Sequence, residues 1–238
     1  MPPPKLKFPI SRMKRVLRKV RHFAIEFQTL IAFGVMALGL LGFVAVAEDL
    51  IEGETHALDK AILLWMRAPD NLSDPLGPTW FESGVADITA LGGYAVVTLI
   101  VSASIVYLCA TGRWRHALIV LGAVVSGALL SVFLKLGFDR PRPDLVEHLT
   151  HATSSSFPSG HATLSAVVYL TLGLLMAHAH ERYRIRLLIV VGALTVTMLV
   201  GISRVYLGVH WPTDVVAGWC LGAAWAAVWW LIARRLGA

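Results

Sequence analysis

Six stretches of this chain, residues 27–47, 88–109, 116–134, 162–177, 187–202 and 215–233, contain no Asp, Glu, Lys or Arg. Each approaches or exceeds the roughly 20 apolar residues that carry a helix across a hydrocarbon core. The fourth and fifth are short and must borrow flanking residues at their ends. A chain of 238 residues with 56% hydrophobic and only 15% charged residues is also far from the composition of a soluble domain, where about a quarter of residues are charged. The expected fold class is therefore all-α, an integral membrane bundle of about six transmembrane helices with an amphipathic N-terminal helix. No internal repeat or low-complexity linker divides it. The economical division is a basic juxtamembrane segment, residues 1–26, followed by one membrane domain, residues 27–238.

The charges set the expected orientation. Lys5, Lys7, Arg12, Lys14, Arg15, Arg18, Lys19 and Arg21 precede the first span, and basic residues recur at Arg113/Arg115, Arg182/Arg184/Arg186 and Arg234/Arg235. With six alternating spans these all fall on one side, which the positive-inside rule makes cytoplasmic together with both termini. The connection over residues 48–87 is acidic instead: Glu48, Asp49, Glu52, Glu54, Asp59, Asp70, Asp74, Glu82 and Asp87 face only Lys60 and Arg67. Its Leu58, Ile62, Leu63, Trp65 and Met66 form a short amphipathic stretch, broken by Pro69, Pro75 and Pro78. It reads as a cap on the outer leaflet that guides a lipid tail, or as an ordinary packed loop.

The net charge of +6 resides mostly in the N-terminal arm and the cytoplasmic loops, so anionic lipid headgroups, not nucleic acid, are the expected partner. Ile10, Met13, Val16, Leu17, Val20, Phe23 and Phe27 recur at helical spacing among the basic residues, the pattern of a helix lying in the membrane interface. The first apolar run is full-length and the basic region before it long, unlike a cleavable signal peptide. Cys109 and Cys220 fall in different spans and in opposite halves of the bilayer, where they are expected as core residues without a disulfide.

Three polar clusters stand at the ends of these spans, on the outer side by the same topology. The first runs from Lys135 through Arg140 and Pro141 to Arg142 and Pro143. The prolines keep the segment extended and away from a continuing helix. Lys135 and either Arg140 or Arg142 would supply cations to an anion; a snorkelling lysine and a basic loop would look the same. The second, Ser154 to His161, ends in Pro158-Ser159-Gly160-His161 at the start of the fourth span. A helix start offers unpaired N–H groups, here with a hydroxyl, where a phosphate can sit. His161 there has the ordinary pKa of a general acid, or is an interfacial histidine beside a helix cap. The third contains Ser203, Arg204, His210 and Asp214. Pro212 favours a helix start, which puts Asp214 in its first turn, able to accept the Nδ1 proton of His210 and free Nε2 for attack. A His/Asp metal site is disfavoured, since no second His or Glu stands at ligand spacing and three cations would repel a divalent ion. Phosphoryl transfer needs several fixed cations and backbone donors around the phosphate, and Lys135, Arg142 and Arg204 are of that kind.

The series K-x6-RP, PSGH and SR-x5-H-x3-D, complete between Lys135 and Asp214, resembles the signature of the type 2 phosphatidic acid phosphatase superfamily. The spacing of that signature selects Arg142 as its motif arginine. The resemblance implies that Lys135, Arg142, Ser159, Gly160 and Arg204 hold phosphate. It also implies that His210 attacks phosphorus to form a phosphohistidine, Asp214 orients it, and His161 protonates the leaving oxygen, with no metal or other cofactor. The expected protein is a multi-pass enzyme of the cell or inner membrane that hydrolyses a lipid phosphate or diphosphate at the periplasmic or extracellular face. Undecaprenyl diphosphate is the first expectation, since its diphosphate is presented on that face. Phosphatidylglycerophosphate, phosphatidate and a lipid A phosphate are alternatives. A non-catalytic lipid-binding or transporting relative is the alternative of another class, but it has no need of nucleophile, acid and orienting carboxylate together. A haloperoxidase is disfavoured by the spans and the compact length. Oligomeric state is not legible.

Overall fold

The computed structural model describes residues 10–150 and 154–237, with side-chain surroundings from Glu26 onward. The chain runs through α1 (Ile10–Glu52), α2 (His56–Trp65), a hairpin of β1 (Arg67–Ala68) and β2 (Asn71–Pro75), then α3 (Thr79–Ala90), α4 (Tyr94–Ala110) and α5 (Trp114–Phe138). After a long irregular segment come α6 (Gly160–Ser165), one wide π turn (Ala166–Leu170), α7 (Thr171–His178), α8 (Tyr183–Tyr206) and α9 (Pro212–Arg235).

Among the described residues, five stretches are long and apolar enough to cross a membrane: Glu26–Glu52, Trp114–Phe138, Gly160–His178, Tyr183–Tyr206 and Pro212–Arg235. The pair α3 and α4, bent by 47° at its break, makes a sixth if it counts as one span. Large apolar side chains point outward on these helices, among them Leu38, Leu99, Leu136 and Leu188, each more than 70% exposed. Bilayer, not water, is the solvent that accommodates such a surface, and helices satisfy their own backbone groups within it.

Small residues set how closely the helices approach. A Cβ on Gly218 would lie 2.8 Å from the Ser159 carbonyl oxygen, and one on Gly222 would lie 2.6 Å from that of Thr163, so α6 rests directly on a glycine face of α9. Gly39 brings α1 equally close to α9 at Cys220 and Ala224. Without a hydrophobic drive between helices in lipid, close packing and interhelical hydrogen bonds hold the bundle. Ser126 of α5 accepts from the indoles of both Trp225 (3.0 Å) and Trp229 (3.2 Å) of α9. The tight α6–α9 contact has a local result: the Ser159 N–H donates to the Asp214 carbonyl oxygen at 3.0 Å. Two helix starts are thereby fixed to each other.

The structure departs from the sequence expectations in four places. The second span was expected over residues 88–109, but its helical pair begins at Thr79 and breaks at Leu91-Gly92-Gly93. A Cβ on Gly92 would lie 2.3 Å from Val200 of α8, so the break packs closely against that helix. A short antiparallel hairpin, with Arg67 opposite Pro75 and Ala68 opposite Asn71, interrupts the otherwise helical chain. Cys109 is exposed on α4, not in the core; Cys220 is half-buried, and both are free thiols. The backbone is helical without a break from Ile10 to Glu52, joining the expected basic helix to the first span. The side chains of residues 10–25, and all of residues 1–9, lie outside the described residues.

Segment 48–87 is not a loose excursion. Leu63 of α2 is fully buried with Val146, Ala162, Val205, Trp211 and Val215, side chains from four other parts of the chain. The hairpin is tied down where Arg67 donates to the Tyr206 carbonyl oxygen at 2.9 Å.

Candidate active site

Four helix ends meet at one end of the bundle. Lys135 stands in the last turn of α5, Ser159 caps α6, Arg204 lies in the last turn of α8, and Asp214 lies in the first turn of α9. Each placement has a local cause. Pro212 fits the first position of α9, where its missing N–H costs nothing. Asp214 reaches back to accept from the Trp211 N–H at 2.9 Å, closing the start of the helix. The Ser159 hydroxyl accepts from the Ala162 N–H at 3.5 Å. Just before it, Phe157 is fully buried between Phe43 of α1 and Phe138 of α5, with ring centroids 5.7 and 4.7 Å away, which pins the loop that carries Ser156 to His161.

His210 occupies the centre. Its Nδ1 faces Asp214 Oδ2 at 3.4 Å and the Ser156 hydroxyl at 3.3 Å, while Nε2 faces the Arg142 guanidinium at 3.3 Å. These neighbours select a tautomer. Arginine only donates, so Nε2 accepts; ionised carboxylate only accepts, so Nδ1 carries the hydrogen. Burial holds the His210 pKa down to about 4, against the upward pull of Asp214 and with further lowering by Arg142 and Arg204. The ring is neutral near pH 7, with its free lone pair turned toward Arg142.

Three cations at this end of the bundle have no carboxylate partner among the described residues. Arg142 donates to the carbonyl oxygens of Val209 (2.5 Å) and Ser154 (2.8 Å). Lys135 Nζ donates to the Ser155 carbonyl oxygen at 2.5 Å. Arg204, 3% exposed, donates to Thr89 at 3.1 Å and leaves its Nε without a partner. His161 feels the charges of all three as well as of His210. A Cβ on Gly160 would meet Lys135 at 3.6 Å, so the start of α6 faces the lysine across an ordinary contact distance. Burial already lowers the pKa of Arg142. Gathering like charges in a half-buried place is unfavourable unless an anion joins them, and the first N–H groups of α6 add uncommitted donors.

The side of His210 remote from these cations is built oppositely. Asp214 and Asp59, both fully buried, flank Arg140, which donates to Asp214 Oδ1 at 2.6 Å and to Asp59 Oδ2 at 2.7 Å. Ser156 donates to Asp214 Oδ2. Arg140 is thus committed to two carboxylates, whereas Arg142 has no carboxylate partner among the described residues.

All eight residues expected at the site, Lys135, Arg142, Ser159, Gly160, His161, Arg204, His210 and Asp214, come together here. Ser156, Asp59 and Thr89 were not anticipated, and Arg140 was expected only as an alternative to Arg142. One signal was present for Asp59: it shares a helix face with Thr55 and Leu63 at four-residue spacing, and Leu63 is buried. Ser156 is one of three consecutive serines, and nothing in the sequence separates it from Ser154 and Ser155.

The family model of the PAP2 superfamily matches residues 116–238, which include every one of those eight residues. The chain belongs to the PAP2 superfamily. It is 32% identical over 182 residues to phosphatidylglycerophosphatase B of Bacillus subtilis, spanning 75% of this chain and 82% of that one. A shorter stretch of 71 residues, 30% of each chain, is 41% identical to an undecaprenyl-diphosphatase of Sulfolobus acidocaldarius. The crystal structure of a transmembrane PAP2-type phosphatidylglycerolphosphate phosphatase from Bacillus subtilis superposes with a TM-score of 0.67 at 27% identity, covering 86% of this chain and 96% of that one. This PAP2 protein is a multi-pass membrane enzyme that hydrolyses lipid phosphate esters.

Proposed function

We propose that this chain removes a terminal phosphate from a membrane lipid through a phosphohistidine on His210. The observation that carries the reading is the neutral His210 ring, with Nε2 turned toward Arg142, at a site with two further cations that lack carboxylate partners among the described residues. Lys135, Arg142 and Arg204, with the Ser159 hydroxyl and the first N–H groups of α6 at Gly160, hold the phosphate oxygens and stabilise the charge that develops on them. His210 Nε2 forms a bond to phosphorus as the bond to the lipid oxygen breaks, and His161 gives that oxygen its proton. Water then attacks the phosphohistidine, His161 takes a proton from it, and phosphate leaves with His210 neutral again. Asp214 accepts from Nδ1 throughout and stabilises the ring as it becomes positive. The charge stabilisation comes from protein cations, so the scheme calls for no metal.

Phosphatidylglycerophosphate is the substrate we put first, because the relative matched over most of both chains bears that name. Undecaprenyl diphosphate, favoured by the topology argument, is the second reading, and the local match to the Sulfolobus enzyme supports it. Arg113/Arg115 at the start of α5, Arg182/Arg184/Arg186 at the start of α8 and Arg234/Arg235 at the end of α9 stand at the helix ends opposite those of Lys135, Arg204 and Asp214. By the positive-inside rule this argues for cytoplasmic termini and an outward-facing site. Residues 27–238 form the phosphatase domain in this reading, with 48–87 as its outer cap and 1–26 as a basic juxtamembrane segment.

The test is phosphate release by detergent-purified protein in excess chelator, from phosphatidylglycerophosphate, undecaprenyl diphosphate, phosphatidate and a lipid A phosphate. Turnover that survives chelation, is fastest on phosphatidylglycerophosphate and disappears in His210→Ala is expected. His161→Ala is expected to lose about 10²- to 10⁴-fold in kcat. Full activity in His210→Ala contradicts the mechanism, and faster turnover of the diphosphate transfers the substrate to the second reading.

A further inference from the structure

Asp59 and Arg140 lie outside the signature that led to the site, yet they are the most heavily bonded charges behind it. We propose that they are positioning residues for the reaction: an ion-paired strut from α2 to Asp214 that fixes the carboxylate on which His210 depends. The proposal rests on the reading of His210 as the nucleophile.

The two oxygens of Asp214 have separate tasks. Oδ1 is held by Arg140 Nη1 at 2.6 Å. Oδ2 is left for the Trp211 N–H, the Ser156 hydroxyl and His210 Nδ1. The guanidinium is planar and rigid, so its two terminal nitrogens cannot move independently. Its other nitrogen, Nη2, is held by Asp59 Oδ2 at 2.7 Å and approaches Thr55 at 3.4 Å. Where α2 places Asp59 therefore determines where Asp214 Oδ1 is held, and with it the direction in which Oδ2 faces the ring.

A second connection runs in parallel. Asp59 Oδ1 accepts from the Thr213 N–H at 2.9 Å, and Oδ2 accepts from the Thr213 hydroxyl at 2.7 Å. Thr213 is the residue before Asp214, so α2 grips the first turn of α9 through backbone and side chain together. Both carboxylates are fully buried, Arg140 is 8% exposed, and Trp211 covers the guanidinium at 5.6 Å from its ring centroid. Such an arrangement costs desolvation that an apolar contact between α2 and α9 would avoid. A strut that merely fastened α2 to the bundle would need neither the charge nor the shared arginine.

Two variants keep most of the packing. Asp59→Asn keeps the shape and an acceptor for Thr213 while removing the charge; Arg140→Lys keeps the charge and loses the fork. Kinetics would be measured on the lipid of the panel above that is turned over fastest, beside wild type and His210→Ala, with monodisperse elution and thermal melting as controls for folding. Asp59→Asn is expected to lower kcat about 10- to 100-fold, the loss of one charged hydrogen bond acting in the transition state, with KM changed less than about twofold. Arg140→Lys is expected between wild type and Arg140→Gln. Placed in an Asp214→Asn background, Arg140→Lys is expected to cost nothing further, because the residue through which it acts has already lost its charge; a purely structural role predicts additive losses.

The failures are separable. Turnover in His210→Ala would remove the reading of the site itself, whatever Asp59 does. A silent His210→Ala beside a folded Asp59→Asn and Arg140→Lys at wild-type kcat, or additive losses in the double variant, would overturn the strut. If Asp59→Asn does not fold, Arg140→Lys and its Asp214→Asn double variant decide alone by the same criteria.

Discussion

Arg140 and Arg142 stand two residues apart, separated by Pro141, on the irregular segment that follows α5. Their surroundings are opposite. Arg140 lies between two fully buried carboxylates and is neutralised by them. Arg142 rests on backbone carbonyls and on the ring of His210. One guanidinium lies behind the histidine, on Asp214, and the other in front of it, at Nε2. A basic residue's role is therefore legible from what balances its charge: a cation matched by buried carboxylates shapes the site, and a cation left unmatched awaits an anion.

The largest expected effect that separates the two regions comes from a paired substitution. Arg142→Ala should lower kcat/KM by about 10²- to 10³-fold, the scale of losing one donor to transition-state charge, with little change in thermal stability. Arg140→Gln leaves two buried carboxylates unpaired and should destabilise the protein by about 3–5 kcal/mol, seen as a large drop in melting temperature. Equal melting temperatures for both variants would erase the distinction drawn here.

The pH profile sharpens it. Neutral His210 is the reactive form, and protonation of Nε2 as pH falls removes its lone pair. Since burial holds its pKa to about 4 in the free protein, the acid limb in kcat/KM should lie near pH 4 and not near the ordinary histidine value of about 6.5. Asp214 pulls that pKa upward, so Asp214→Asn should move the limb lower still; an upward move would mean that the carboxylate does not face the ring as described. The smallest effect is expected from Ser156→Ala, which removes one donor from Asp214 Oδ2 and should cost about tenfold in kcat. The check is the same saturating assay, with the melting temperature alongside.

The sequence carried the membrane helices and the front of the site because both depend on local patterns. A run of apolar residues reports its own span, and Pro212 and Ser159 mark their own helix starts, which places Asp214 and Gly160 without reference to the rest of the chain. The back of the site depends on tertiary contact. Asp59 lies 81 residues from Arg140, and no spacing rule links them; only the shared helix face of Thr55, Asp59 and Leu63 hinted that the acid is buried. The bend at Leu91-Gly92-Gly93 also involves tertiary contact, since Gly92 packs closely against Val200 of a distant helix. The hairpin after α2 escaped notice because its strands are too short to show alternation.

The most direct test of the central claim is acid- and base-quenched single turnover with a lipid whose terminal phosphate is radiolabelled, in excess chelator. The account predicts protein-bound label that is stable in base, labile in acid, formed before free phosphate, and absent from folded His210→Ala. Burst-free release of phosphate with no protein-bound label, or label that persists in His210→Ala, would contradict it.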